Sequence, residues 1–277
     1  MGCTSGGLID ERVILLFKNM DITGDDEHVV FFSDDNIAAI CSTETGNEKN
    51  LGRKTSLGLS RKGVFIGGLD HHVDYEPISD GNQNKISLAY MTVLREAESF
   101  DDAYRLLRLL FEHEKIGVPD MLILSGAIKD GFVISVVEYD PTAPQKWGVK
   151  KVDKGHLVAT NYPLTLPNPS LRENDPDSYI RLETAHALLT SDPSLQGIQN
   201  LLRSHENGPG QKSICRHREW IPQDDRTRYH KGMYNTAASV IFQIDRLTGE
   251  ITARYIVKKN PCEQDQYDVK HLWGMNF

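Results

Sequence analysis

The order of strand-like and helix-like segments constrains the fold of this chain more than any other feature of its sequence. Short runs rich in β-branched and aromatic residues occur near both ends and in the middle, and pairs of amphipathic helices lie between them. Strands are predicted over 13–17, 28–32, 37–41, 64–69, 121–127, 132–138 and 238–244, with a further pair within 147–160 and one strand over 250–257. Helices are predicted over 85–98, 178–189 and 195–204, and after an N-cap at Ser99. This order predicts an α+β fold, a four-layer αββα sandwich of two stacked antiparallel sheets covered by helices.

Charge and hydropathy exclude several partner classes. The chain has 277 residues, 31 Lys and Arg against 39 Asp and Glu, and a formal net charge of −8. An acidic surface does not attract nucleic acid or anionic membranes, so we expect a small-molecule partner. No run approaches the roughly 18–20 apolar residues of a membrane span, and the N-terminus lacks the basic and apolar regions of a signal peptide, so we expect a cytoplasmic protein.

The cysteines and histidines show no metal or cofactor signature in the sequence. The cysteines are far apart and form no Cys-x-x-Cys pair: Cys3, Cys41, Cys215 and Cys262. That spacing is typical of scattered reduced thiols and indicates neither a zinc site nor a disulfide framework. His71-His72 and His113 have no third ligand at a metal-binding spacing, so we predict surface or loop histidines. No glycine-rich loop joins a predicted strand to a helix, so no nucleotide cofactor is expected.

The first residues contain a candidate nucleophile. If Met1 and Gly2 are removed, Cys3 becomes the first residue and its α-amino group lies beside its own thiol. An α-amine titrates at about 7.7–8.0 and a thiol near about 8.5, so near neutral pH the free amine can accept the thiol proton. Asp21 lies 18 residues after Cys3 (21 − 3), which is enough for two paired strands to bring it beside the N-terminus. A lone Asp after a strand is otherwise most often a turn former.

Six segments spread over nearly the whole chain occur in a characteristic order. They are Gly2-Cys3-Thr4, Lys18-Asn19-Met20-Asp21, the stretch from Gly58-Leu59-Ser60-Arg61-Lys62-Gly63 to Gly68-Leu69, Ala159-Thr160-Asn161-Tyr162, Ser213-Ile214-Cys215-Arg216-His217, and Thr236-Ala237-Ala238-Ser239-Val240. Each motif is weak alone. Together they resemble the N-terminal-nucleophile (Ntn) cysteine hydrolases, and within them the acyl-coenzyme A:6-aminopenicillanic acid (isopenicillin N) acyltransferase-like group, which is related to choloylglycine hydrolase and penicillin V acylase.

The resemblance implies a role for each matching residue. Cys3, exposed by self-cleavage, would attack an amide carbonyl and form an acyl-enzyme. Asp21 would hold the α-amine and tune its pKa, and Asn161 would stabilise the oxyanion. Without the resemblance, Asn161 would be interpreted as a turn residue before Pro163. Arg216 would either bind a substrate carboxylate or brace the Cys3 site, with a structural ion pair as an equal alternative.

Three positions depart from the pattern of these families. Asp70 stands where the choloylglycine hydrolases have an oxyanion-hole Asn, and Lys18 stands where they have Arg, so bile-salt specificity is not expected. At these positions Lys18, like Asp70, His71 and Arg216, is a candidate for substrate binding or for the oxyanion site. The backbone around Asp70 and His71 is then the source of a second oxyanion donor, because an ionised carboxylate cannot donate. Only Met-Gly precedes Cys3, whereas the acyltransferase group carries a pro-segment, so the chain is either a mature large subunit or one with a minimal leader.

These observations together predict one Ntn-hydrolase domain over residues 1–277, with a mature chain that starts at Cys3. The predicted reaction cleaves or transfers the acyl group of a small N-acyl compound, such as an N-acyl amino acid, an acylated amine or a β-lactam side chain. The predicted partners are that substrate, an acyl-CoA or amine co-substrate for transfer, and a small pro-segment chain or a second copy of the chain. Neither a cofactor nor a metal is expected.

Two other functional classes remain open at this point. Met-Gly-Cys is similar to dual acylation signals, although Gly6 occupies the position where the myristoylation pattern has Ser or Thr. The chain would then be a lipid-anchored scaffold without catalytic activity. The departures at Asp70 and Lys18 also allow an inactive relative that binds its ligand without turnover.

Overall fold

The computed structural model describes residues 3–22, 29–42, 55–69, 80–166, 176–208, 210, 212–217 and 235–275. Its strands are β1 (Thr4–Ile9), β2 (Val13–Ile22), β3 (Val29–Ser33), β4 (Ile37–Ser42), β5 (Thr55–Ser60), β6 (Phe65–Leu69), β7 (Asp120–Ile128), β8 (Gly131–Tyr139), β9 (Trp147–Val152), β10 (Gly155–Ala159), β11 (Asn235–Asp245), β12 (Glu250–Val257) and β13 (Asp268–Gly274). Its helices are α1 (Asp80–Glu96), α2 (Phe100–His113), α3 (Pro176–Ser191) and α4 (Leu195–Leu202), with a short 3-10 helix at Pro261–Glu263.

The strands form two antiparallel sheets. One has six strands in the order β10-β1-β2-β11-β12-β13, and the other has seven in the order β3-β4-β5-β6-β7-β8-β9. Apolar side chains from the inner faces of both sheets form one core, as alternation along paired strands requires; Leu16 and Phe242 of the first sheet and Leu59 and Ile134 of the second are among them. The predicted stacking of two antiparallel sheets is confirmed.

Helices cover both outer faces. Helices α1 and α2 pack on the seven-stranded sheet, where Leu94 and Leu107 share a core with Ile66. Helices α3 and α4 pack on the six-stranded sheet, where Leu189 and Leu201 share a core with strand residues of β1 and β2. The layers therefore follow the predicted αββα order. No helix in the described part of the chain is long and apolar enough to cross a membrane.

Local signals placed most elements correctly. Ser99 is the N-cap of α2, and its side chain accepts a hydrogen bond from Asp102 N, as the capping pattern predicts. Strands β7 and β8 pair through a tight turn, and Gly131 has a positive φ of 155° there. Strands β11 and β12 form the second predicted hairpin.

The strand pair predicted within 147–160 is wrong in its pairing. Both strands form, but β9 pairs with β8 in one sheet and β10 pairs with β1 in the other. The reason is their apolar side chains: Trp147 packs with α2 residues, whereas Val158 packs with the core under α3 and α4. The chain crosses between sheets at Gly155, which has φ +78°.

The strand pair between Cys3 and Asp21 was expected, but no bounds were predicted for its first strand, β1, and its glycines explain why. Gly6 and Gly7 lower the β-propensity of this segment, so no strand pattern is visible. In the structure a Cβ on Gly6 would collide with Leu157 O, and one on Gly7 would collide with Ile134 and Leu15. The glycines are therefore required for the close approach of neighbouring chain segments to the strand that carries Cys3.

Candidate active site

Strand β1 places Cys3 between two other segments of the predicted site. Ser5 pairs with Ala159 of β10 and Thr4 pairs with Asn19 of β2, so continuing each register brings Cys3 opposite Asn161 on one side and Met20 on the other. The backbone N–H of Cys3 donates to Asn161 Oδ1 at 2.8 Å. Cys3 is 3% exposed and lies at the edge of the core between the sheets.

The Asn161 amide is held by a buried arginine. Arg181 of α3 is 1% exposed, and its guanidinium donates to Asn161 Oδ1 at 3.3 Å. Just before it, Thr160 donates to Ser178 O at 2.9 Å and so ties the end of β10 to the start of α3. Because Oδ1 accepts from both Cys3 and Arg181, the Nδ2 donor of the amide is turned to the other side. An N–H donor is the group that an oxyanion requires.

Asp21 lies in a buried network on the outer face of β2. Thr236 Oγ1 donates to Asp21 Oδ1 at 2.7 Å and accepts from Arg216 N at 2.9 Å. Arg216 Nε lies 3.4 Å from Asp21 Oδ2, with both side chains at most 3% exposed. Burial raises the pKa of the Asp21 carboxyl above its ordinary value of 3.8, and Arg216, the Thr236 hydroxyl and Arg181 oppose the shift. The site therefore contains a carboxylate whose charge depends on its neighbours.

Lys18 bridges the two sheets instead of facing Asp21. Its ammonium donates to Gly68 O at 2.5 Å and to Ser56 O at 3.3 Å, both on the seven-stranded sheet. Its neighbour Asn19 points the opposite way and donates to Leu202 O at 2.8 Å, as alternation along β2 requires. Lys18 thus fixes the end of β6 immediately before Asp70.

The structure brings together most of the predicted site residues. Cys3 and Asn161 are in direct contact, Asp21 and Arg216 form an ion pair beside them, and Lys18 lies on the inner face of the same strand as Asp21. Asp70 and His71 lie outside the described residues.

Sequence reasoning missed three supporting residues. Arg181 lies within a correctly predicted helix, and the signal was an arginine on the apolar face with Leu182 and Ala185 as neighbours. Thr236 was noted only as part of a strand. Glu138 of β8 is fully buried, and its carboxylate accepts from Leu164 N, Thr165 N, Thr165 Oγ1 and Leu166 N. It anchors the segment that follows Asn161, and nothing local in the sequence marks it.

The cysteines are not all scattered, contrary to the prediction. Cys215 Sγ and Cys262 Sγ are 3.4 Å apart, although 47 residues separate them in sequence. The β11–β12 hairpin returns the chain to its starting end, and the 3-10 helix that follows lies against the segment before β11. The prediction of a surface position for His113 is confirmed, because its side chain is 82% exposed and lies beside Glu114.

A surface cavity of about 750 Å³ lies away from this site. Arg61, Lys129, Arg246 and Met275 are among the residues that line it, and neither Cys3 nor Asn161 is among them. The candidate catalytic residues therefore lie at the N-terminal end of β1 and not at this cavity.

Comparisons with known proteins identify the fold. No family model and no curated protein sequence matches the chain. A solved structure of a mutant conjugated bile acid hydrolase from Clostridium perfringens is similar, with a TM-score of 0.51, 12% sequence identity, and coverage of 96% of this chain and 92% of that one. At this identity the likeness concerns the fold alone, and the chain accordingly has the αββα sandwich fold of the Ntn hydrolases.

Proposed function

We propose that this chain is an Ntn cysteine amidohydrolase or acyltransferase that acts on a small N-acyl amide through an acyl-enzyme on Cys3. The observation that carries the proposal is the 2.8 Å hydrogen bond from Cys3 N to Asn161 Oδ1, with Arg181 behind the same oxygen. An N-terminal nucleophile needs its amine oriented and an oxyanion donor within reach, and Asn161 supplies both functions from one amide. The Clostridium perfringens neighbour, a conjugated bile acid hydrolase of the same fold, supports amide hydrolysis as the reaction class.

The first step is exposure of the Cys3 amine. The thiol of Cys3 attacks the Gly2 carbonyl carbon, the Gly2–Cys3 C–N bond breaks, and the nitrogen takes the thiol proton to become the new α-amine. Water then hydrolyses the thioester and releases the segment that ends at Gly2. The mature domain would begin at Cys3, and its amine would keep Asn161 Oδ1 as a hydrogen-bond acceptor.

Acylation follows the same logic on a substrate. The amine takes the thiol proton, the sulfur attacks the substrate carbonyl carbon, and the oxygen that becomes negative is stabilised by Asn161 Nδ2. The C–N bond breaks as the leaving amine takes the proton from the α-ammonium. When ionised, Asp21 supplies negative charge that favours the protonated amine; burial raises the pKa of this carboxyl, and Arg216 and the Thr236 hydroxyl oppose that rise.

Release of the acyl group decides between hydrolysis and transfer. If water attacks the thioester, the products are a carboxylic acid and the free enzyme; if an amine attacks, the product is a new amide. Both outcomes share the acyl-enzyme and differ in whether an amine is held where water would otherwise react. We propose an N-acyl amino acid or acylated amine as substrate, with Lys18 and Arg216 shaping the charge around the site.

Intact mass and N-terminal sequencing test the proposal. The wild-type chain is expected to begin at Cys3, a Cys3→Ala variant to retain Gly2, and a Cys41→Ala control to begin at Cys3. Wild-type turnover of an N-acyl amino acid panel should disappear after iodoacetamide treatment and in the Cys3→Ala variant. A wild-type chain that retains Gly2, free or fatty-acylated, and turns over no N-acyl compound would refute the proposal and favour an anchored or inactive relative.

A further inference from the structure

A second cluster of reactive side chains lies next to the candidate active site. It consists of His205, Cys215, His217 and Cys262, and one potential ligand atom from each residue lies within 4.8 Å of all the others. His205 follows α4, Cys215 and His217 precede β11, and Cys262 belongs to the 3-10 helix Pro261–Glu263. We propose that these four side chains form a structural zinc site, a Cys₂His₂ centre that the sequence did not indicate.

The distances within the cluster suit one tetrahedral ion. With Zn–S of about 2.3 Å and Zn–N of about 2.0–2.1 Å, a tetrahedron places sulfurs about 3.8 Å apart and a sulfur and a nitrogen about 3.6 Å apart. The two Sγ atoms are 3.4 Å apart and His217 Nε2 lies 3.8 Å from Cys215 Sγ, both close to these values. The 2.9 Å distance between His217 Nε2 and Cys262 Sγ is shorter and would lengthen around an ion, and the ligand atom of His205 lies within 4.8 Å of the other three. Two sulfurs and two imidazoles in this arrangement are the donor set that selects zinc.

Charge balance favours the same ion. Cys215 and His217 are fully buried, so an uncompensated thiolate would be costly there. On binding, each thiol releases its proton to solvent, and two thiolates with two neutral imidazoles make the Zn²⁺ complex electrically neutral. Four protein ligands leave no open position, so the ion would be structural and not a catalyst of the Cys3 reaction.

The surroundings of His217 are those of a metal ligand. When Asn260 is oriented so that its Nδ2 donates to Thr236 O at 2.8 Å, its Oδ1 accepts from His217 Nδ1 at 3.2 Å, and Glu263 Oε1 is 3.5 Å from the same nitrogen. A proton on Nδ1 leaves the lone pair of Nε2 facing the two sulfurs. Cys215 N also donates to Ser204 O at 3.2 Å, which holds the ligand segment against the residue before His205.

The site would position a residue of the candidate active site. Arg216 lies between two proposed ligands, Cys215 and His217, while its own guanidinium pairs with Asp21. An ion that fixes both neighbours would fix the Arg216 backbone, which exchanges hydrogen bonds with Thr236 on β11. Metal loss is therefore expected to loosen the Arg216–Asp21 pair, which is the part of the inference that rests on the proposed function.

Metal analysis of the purified full-length chain tests the site without any activity assay. We expect about one zinc per chain in the wild type and in the Cys41→Ala control, and less than about a tenth of that in Cys262→Ala and in Cys215→Ala. Cys41 is a suitable control because it is buried and contacts Thr55 within the seven-stranded sheet, whereas the cluster adjoins β11 of the six-stranded sheet. Reduced apoprotein given Co²⁺ should develop the thiolate charge-transfer and strong visible bands of a tetrahedral Cys₂His₂ site.

Several results would overturn the proposal. A wild-type chain that is isolated without metal and, after reduction, takes up neither Zn²⁺ nor Co²⁺ stoichiometrically does not contain the site. A Cys215–Cys262 disulfide in protein purified under anaerobic, thiol-free conditions would identify the pair as a redox couple instead. Full zinc content in both ligand variants would place the metal elsewhere. If a variant fails to fold, the wild-type stoichiometry and the cobalt spectrum still decide.

Discussion

Replacing Thr236 by Val removes one hydroxyl and leaves the strand shape unchanged. That hydroxyl donates to Asp21 Oδ1 at 2.7 Å and accepts from Arg216 N at 2.9 Å, and the residue is fully buried. A hydrogen bond to a charged group contributes about 1.5–3 kcal/mol, and a buried N–H without its acceptor costs about 1–3 kcal/mol. The two losses share neighbours and are not fully additive, so we expect Thr236→Val to lower the free energy of unfolding by about 3 kcal/mol at pH 8.

The pH dependence of this loss follows from the Asp21 pKa. Burial raises the pKa of Asp21, and the Thr236 hydroxyl is one of the groups that lower it, so the variant raises it further. The folded chain then holds a proton that the unfolded chain releases, so stability falls as pH rises above the ordinary carboxyl value of 3.8. The destabilisation should therefore be larger at pH 8 than at pH 5, where more of the Asp21 is protonated in the folded variant.

Urea unfolding of the wild type and variant at both pH values measures the effect. Thr92→Val is the matched control, because Thr92 Oγ1 bonds only to Leu88 O among its described partners, on a more exposed helix face. We expect the control to change the free energy of unfolding by less than about 0.5 kcal/mol. A Thr236→Val effect below about 1 kcal/mol, or one of equal size at pH 5 and pH 8, would show that the Thr236 hydroxyl does not stabilise the Asp21 carboxylate.

Other polar groups give three further predictions. Glu138→Gln places an N–H₂ donor among the N–H groups of Thr165 and Leu166, so we expect the free energy of unfolding in urea to fall by about 3 kcal/mol. A decrease below about 1 kcal/mol would show that the carboxylate does not anchor that segment. Ser99→Ala removes the N-cap acceptor of α2 and should cost about 1 kcal/mol; an unchanged unfolding midpoint would mean that the cap is replaced by another group. Burial lowers the pKa of both His156 and His186, so the unfolded chain binds protons more tightly than the folded chain. Thermal stability should therefore fall as pH drops below about 6.5, and His186→Gln should weaken this fall. A variant with the same pH profile as the wild type would show that His186 does not contribute to it.

Local sequence patterns were sufficient to predict the fold class, because the spacing of apolar residues indicates the strands and helices of each layer. The turn at 129–131 and the cap at Ser99 are encoded within a few residues, so hairpin and helix start were predicted correctly. The exchange of β9 and β10 between sheets was not predictable from adjacency, because pairing depends on which distant core their side chains enter. Strand β1 lacked a strand pattern because its glycines serve close packing and not strand propensity.

Only those residues of the candidate site that lie in recognisable sequence motifs could be predicted. Cys3, Asp21 and Asn161 were predicted from the order and spacing of their motifs; the structure places Cys3 N within hydrogen-bond distance of Asn161 Oδ1, and the catalytic roles stay predictions. Arg181 and Glu138 act from other elements through buried charge, and one-dimensional spacing does not reveal which distant groups a buried charge meets. The cluster of His205, Cys215, His217 and Cys262 has the same origin, because three separate segments supply its members.

Mapping of a trapped acyl-enzyme tests whether Cys3 is the nucleophile. The mature chain would be mixed with an N-acyl substrate or an activated acyl ester, quenched in acid within one turnover, digested and analysed by mass spectrometry. We expect the mass of one acyl group on the peptide that begins at Cys3, and no adduct in the Cys3→Ala variant. An adduct on Cys41, Cys215 or Cys262 instead, or turnover without any adduct on Cys3, would contradict it.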